Sequence, residues 1–97
     1  MKDLVTEERV VDTEYGSYRL VYCLHEIEEE GWRYYGVSVV QYYHTGKSRG
    51  VFDREMIRGF SENLRETLIF LETLVRELVF PVHLFSIADD WHFMSES

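Results

Sequence analysis

The sequence predicts an α+β domain, a three- to four-stranded antiparallel meander followed by a long amphipathic helix and a short C-terminal helix packed on one sheet face. Three observations predict it. Tyr18 to Glu28 follows a period-2 pattern with β-favouring residues on both faces, and Trp32 to His44 is rich in Tyr and Val, the marks of strands. Asp53 to Phe80 repeats apolar residues at Ile57, Phe60, Leu64, Leu68, Leu71, Val75 and Leu78, steps that share one side of a helix. Phe80-Pro81 then breaks the pattern, because the residue before proline is pushed out of the α region. With 97 residues and neither an internal repeat nor a low-complexity linker, the chain reads as a single domain, 1–97.

Leu4 to Asp12 is charged and β-branched. Its Glu7, Glu8 and Arg9 suit an exposed edge strand, where charge discourages unwanted pairing. Glu14 to Ser17 is a turn signal, and Glu28-Glu29-Glu30-Gly31 is the hairpin connection between the two long strands, glycine supplying the positive φ. Strands of that length call for a bulge, expected near Gly36. After the polar turn Thr45 to Gly50, Val51-Phe52 returns as a short fourth strand. Asp53 is the expected N-cap of the long helix, with Glu55 in its first turn, and Gly59 and Ser61 weaken its start. Pro81 suits the first position of a new helix, in which Leu84, Ile87, Ala88 and Trp91 share a face.

Hydrophobic content of 45% with 15% aromatic residues excludes a disordered chain. The formal charge is -8, with nine acidic and three basic groups in residues 1 to 30 and nine acidic and four basic from Asp53 onward. Such a surface repels phosphate, so nucleic acid and anionic membrane are disfavoured as partners. The N-terminal stretch lacks a secretory apolar core, and no apolar run reaches the roughly 18 residues of a membrane span, so the expected location is cytoplasmic. The single Cys23 forms no internal disulfide and reads as a small buried strand residue instead of an activated thiol.

Several arrangements suggest chemistry. Gly46-Lys47-Ser48 resembles the end of a phosphate-binding loop, but Gln41 stands where that motif needs glycine. His83, Ser86 and Asp90 share one face of the last helix and form an alternative ligand site, although a single helix turn rarely assembles nucleophile, base and orienting group. Asp89, Asp90 and His92 with His83 lack the spacing of a helical metal motif, so no metal and no cofactor is assigned. Tyr34, Tyr35, Tyr42 and Tyr43 beside Arg33, Lys47 and Arg49 are better explained by core packing and cross-strand pairing than by base stacking.

The anomaly lies in Leu68 to Phe80, apolar nearly all round. A sheet covers only one side of such a helix, so Leu68, Leu71, Leu74, Val75 and Leu78 are the expected interface of a homodimer or with a protein partner. Pro81-Val82-His83-Leu84, followed by Ile87 and Asp89-Asp90-Trp91, resembles the C-terminal signature of a family of small uncharacterised Firmicutes proteins, a domain of unknown function. Tyr18 to Val21, Tyr35-Gly36-Val37 and Asp53-Arg54-Glu55 are similar to that family's order of elements. The resemblance covers most of the chain after Tyr15 and implies no known activity, cofactor or catalytic residue. The expected function is a non-enzymatic interaction or regulatory module. The alternative is a small-molecule-binding protein or small enzyme using the C-terminal helix.

Overall fold

The computed structural model describes residues 1–44 and 50–96. Strands β1 (Lys2–Thr13), β2 (Gly16–Glu29), β3 (Trp32–Tyr43) and β4 (Val51–Ser61) pair antiparallel in the order β1-β2-β3-β4. Helix α1 (Leu64–Arg76), a 3-10 turn (Pro81–His83) and helix α2 (Leu84–Glu96) follow. The meander is therefore the four-stranded one. The first hairpin turns at Glu14-Tyr15, where the Thr13 hydroxyl donates to the Gly16 carbonyl at 2.9 Å and accepts from the Tyr15 amide at 3.1 Å. The second turns at Glu30-Gly31, with φ of 51° and 82°, the double positive φ of a tight two-residue hairpin. The Gly46-Lys47-Ser48 loop and its neighbours Thr45 and Arg49 lie outside the described residues.

The expected helix from Asp53 is the main correction. Asp53 pairs with Gln41, Glu55 with Val39 and Ile57 with Val37, so β4 is a full fourth strand and Asp53 caps nothing. The helical spacing of Ile57 and Phe60 has another cause. Between the pairs Tyr35–Ser61 and Val37–Ile57 the register shifts, so a bulge in β4 brings two residues three apart onto the same face. Gly36 makes the bulge possible: a Cβ there would sit 2.5 Å from the carbonyl oxygens of both Ile57 and Arg58. The irregularity expected near Gly36 thus belongs to the β3–β4 ladder, while β2 and β3 run in unbroken register.

Helix α1 begins at Asn63, whose side-chain oxygen accepts the Glu66 amide at 2.9 Å, while the Glu66 carboxylate accepts the Ser61 hydroxyl at 3.1 Å. It ends well before Phe80. Leu78 adopts φ 53°, the Val79 amide reaches back to the Leu74 carbonyl at 3.1 Å and the Leu78 amide to Val75 at 3.3 Å. This is a Schellman termination with leucine where glycine is usual. Pro81 opens the 3-10 turn, as its fixed φ allows.

Alternation along the strands sends Leu20, Tyr22, Leu24, Val37 and Val39 to one sheet face, where Phe70, Leu71, Leu74, Leu84 and Ala88 complete the core. Phe60 stacks on Phe70 at 4.3 Å between ring centres, and Trp91 meets Phe70 edge-on at 5.3 Å. The Tyr22 hydroxyl donates to the Val79 carbonyl at 3.0 Å, tying the central strand to the helix exit, and burial pushes its phenol up to about 12.

Leu71 and Leu74 are wholly buried in this core, and Leu68, Val75 and Leu78 pack partly buried against it. These five side chains face the chain's own sheet. The surplus apolar circumference read from the sequence disappears because Leu78, Val79 and Phe80 lie outside the helix, leaving Leu64 and Ile69 as the exposed large apolar residues of α1.

Candidate functional site on the open sheet face

Both helices sit over one face, so the other face of the sheet carries the alternate residues of every strand. Its register can be read across the ladder. Glu8, Val21, Val40 and Arg54 form one cross-strand row, and Thr6, Cys23, Ser38 and Met56 form the next. Beyond them Asp3 pairs with His25, and His25 with Gly36. Glycine opposite the imidazole leaves the ring room to lean along the sheet.

The polar residues in these rows converge. His25 is 7% exposed and engages both ring nitrogens, Nδ1 to Asp3 Oδ1 at 2.7 Å and Nε2 to Ser38 Oγ at 2.8 Å. Cys23 Sγ lies 3.7 Å from His25 Nδ1 and 3.5 Å from Thr6 Oγ1. Burial is the main cause that pushes the Cys23 thiol up; the Thr6 hydrogen bond opposes this and the Asp3 charge adds to it. The Cys23 expected to be a small buried residue is indeed buried, and it belongs to a cluster.

Asp3, His25 and Ser38 form a carboxylate–imidazole–hydroxyl chain, the contact order of a hydrolase relay. Catalysis also requires donors for a developing oxyanion. Ser38 sits mid-strand between β2 and β4, where the neighbouring amides pair within the ladders, and with Asp3 it holds both nitrogens of the imidazole.

The alternative site at the C-terminal helix is not assembled. His83, Ser86 and Asp90 are exposed, and no hydrogen bond joins them. Asp89 is exposed as well, while His92 packs its ring against Phe60 at 4.7 Å. Among the described residues, the three acidic, thiol or imidazole groups close enough to share an ion are Asp3, Cys23 and His25. The four strand tyrosines are divided by the pleat. Tyr35 is core, Tyr43 packs with Tyr18 and Phe52 at 6.0 and 5.3 Å, Tyr42 lies under the Arg19 guanidinium at 4.6 Å, and the Tyr34 hydroxyl donates to Glu29 at 2.9 Å. They form no single stacking platform.

At the β2–β3 hairpin, Trp32, Tyr34, Arg58 and Glu62 line an open depression of about 940 Å³. Arg58 and Tyr34 both donate to Glu29, and the Arg58 hydrogen bond holds the Glu29 carboxyl below its ordinary range. Glu29, Tyr34 and Arg58 are thus paired with one another. Sequence reasoning singled out Cys23 alone and passed over Asp3, His25 and Ser38. The available signal was Cys-x-His within a strand, which places both side chains on one face; the register of β1 and β3 supplies the rest.

Fold and site together define a small sheet-and-two-helix domain that covers one sheet face and keeps on the other a cluster of buried Cys23 and His25 with half-buried Ser38 and exposed Asp3. The chain belongs to a family of unknown function, DUF6514, matched over residues 1–94, which includes the segments that carried the resemblance noted above. No curated protein matches it, and no solved structure does. Among the described residues, no helix is long and apolar enough to cross a membrane.

Proposed function

We propose that the chain is a non-enzymatic interaction or regulatory module that works as a homodimer, its copies pairing through the open sheet face instead of α1. The observation that carries this is the row Glu8–Val21–Val40–Arg54, acidic at the β1 edge, apolar in the middle and basic at the β4 edge. A two-fold axis parallel to the strands lays β1 of one copy over β4 of the other without changing the position along the strand. Glu8 of each copy then faces Arg54 of its partner, and the valines meet at the centre. An axis across the strands would set β1 on β1 and acid on acid. The face is self-complementary in one arrangement, as an isologous interface requires.

Its size fits. Strands of about twelve residues at ~3.3 Å each, with three gaps of ~4.8 Å, present on the order of 550 Å² in projection, and side-chain relief raises this toward the ~800 Å² per partner of a standard interface. Sheets packed face to face in this way form aligned sandwiches. A reducing cytoplasm suits the single buried thiol.

Native mass spectrometry and sedimentation of the purified chain test the proposal. The expected result is a dimer at low micromolar concentration. Arg54→Glu, at an exposed edge position, weakens it about tenfold or more, because two symmetry-related pairs turn repulsive at up to ~1 kcal/mol each. Adding Glu8→Arg to that variant restores pairing. A monomeric wild-type chain, or a dimer indifferent to Arg54→Glu, would remove the proposal.

A further inference from the structure

We infer that Asp3, Cys23 and His25 form a binding site for a divalent metal ion of the zinc class, with Ser38 orienting the histidine. A thiolate, an imidazole and a carboxylate form a donor set that favours zinc over magnesium or calcium, which take oxygen. The spacing agrees. Tetrahedral zinc with Zn–S of ~2.3 Å and Zn–N of ~2.05 Å separates sulfur from nitrogen by about 3.6 Å, and Cys23 Sγ stands 3.7 Å from His25 Nδ1. Those two ligands come from one strand in the middle of the sheet and are held by ladders on both sides.

The third ligand supplies the adjustment. Asp3 Oδ1 lies 2.7 Å from His25 Nδ1, closer than the roughly 3.3 Å a shared ion sets between nitrogen and oxygen. The Asp3 side chain is 65% exposed, and it sits on the edge strand at the register shift between Asp3 and Val5, so it can swing outward by that difference. Ser38 completes the arrangement. When its oxygen accepts the Nε2 proton at 2.8 Å, the Nδ1 lone pair is left bare and aimed at Cys23 and Asp3. An ion there replaces the hydrogen bond between Nδ1 and Asp3 with two metal–ligand bonds. Three protein ligands leave a fourth position for water or a small anion on a sheet face with no helix over it. This inference does not rest on the pairing of two copies.

Cobalt(II), added to the full chain in reduced, chelator-free buffer, is the probe. The expected result is one ion per chain with the thiolate charge-transfer band and the intense visible absorption of a tetrahedral site, both removed by stoichiometric zinc. Cys23→Ser abolishes the thiolate band, and Asp3→Asn and Ser38→Ala each weaken binding about tenfold. Asp3→Asn changes an exposed side chain and keeps the test decisive where Cys23→Ser fails to fold. No cobalt absorption at a tenfold excess of metal overturns the inference, as does binding that Asp3→Asn and Ser38→Ala leave unchanged.

Discussion

The two faces of one sheet are built from the same strands and differ in nearly everything else. On the covered face Leu20, Leu24, Val37 and Val39 have no solvent exposure and share one core with Phe70, Leu74 and Leu84. On the open face the neighbouring positions carry Arg19 bonded to Glu8 at 2.9 Å, the His25 network and Arg58 bonded to Glu29. Strand alternation explains the division, because residues one apart point to opposite sides of the pleat. The covered face is where folding free energy concentrates, and the open face is where polar side chains pair with one another across the strands.

Substitutions sharpen this contrast, and the largest effect is expected in the covered face. Leu74→Ala removes a wholly buried side chain between helix and sheet and is expected to cost about 2–5 kcal/mol, read as a lower denaturant midpoint. Val21→Thr on the open face is expected to change the monomer's stability by less than about 0.5 kcal/mol in the same experiment. Equal losses at both positions would show that the open face is buried too.

The next effect tests the seam between β3 and β4. Gly36→Ala forces a methyl group against two backbone carbonyls at 2.5 Å, which the bulge can relieve only by shifting, at about 1–3 kcal/mol. Hydrogen exchange should then rise first in β4, where the ladder is disturbed. Uniform exchange in all four strands would argue against a local seam.

The smallest effect is a pH dependence. The Tyr22 phenol is raised from 10.0 to about 12, so between those values the unfolded chain loses a proton that the folded chain keeps. Its contribution is complete below pH 10 and falls as pH rises toward 12. Tyr22→Phe should lose about 1 kcal/mol at neutral pH through the missing bond to Val79, and the slope of stability above pH 10 should flatten. An unchanged slope would place the alkaline loss elsewhere.

Much of this architecture was legible in the chain. The strands around Tyr22 and Val37 announced themselves by alternation, Glu30-Gly31 by its turn chemistry and Pro81 by its fixed φ. The segment Asp53 to Ser61 was not legible, since the bulge gives a strand the three-residue apolar spacing of a helix. Two capping signals at Asn63 and Glu66 marked the true start of α1, but Asp53 and Glu55 offered a similar pattern ten residues earlier. The dimer surface assigned to Leu71 and Leu74 came from the same misplacement, because a helix drawn through Phe80 has more apolar circumference than one that ends at Arg76. Only the alternation of Cys23 and His25 was visible for the polar cluster. Its other members, Asp3 and Ser38, stand far from them in the chain.

The sequence by itself determined the class: antiparallel strands followed by an amphipathic helix and a second helix, each a property of neighbouring residues within a few turns or pleats. Tertiary structure decided the rest. Whether Ile57 sits in a helix or a strand, which leucines face inward, and that Asp3 and Ser38 close on His25 all depend on register between strands. Register is fixed by hydrogen bonds and packing across the sheet, and those interactions join residues that no local pattern connects.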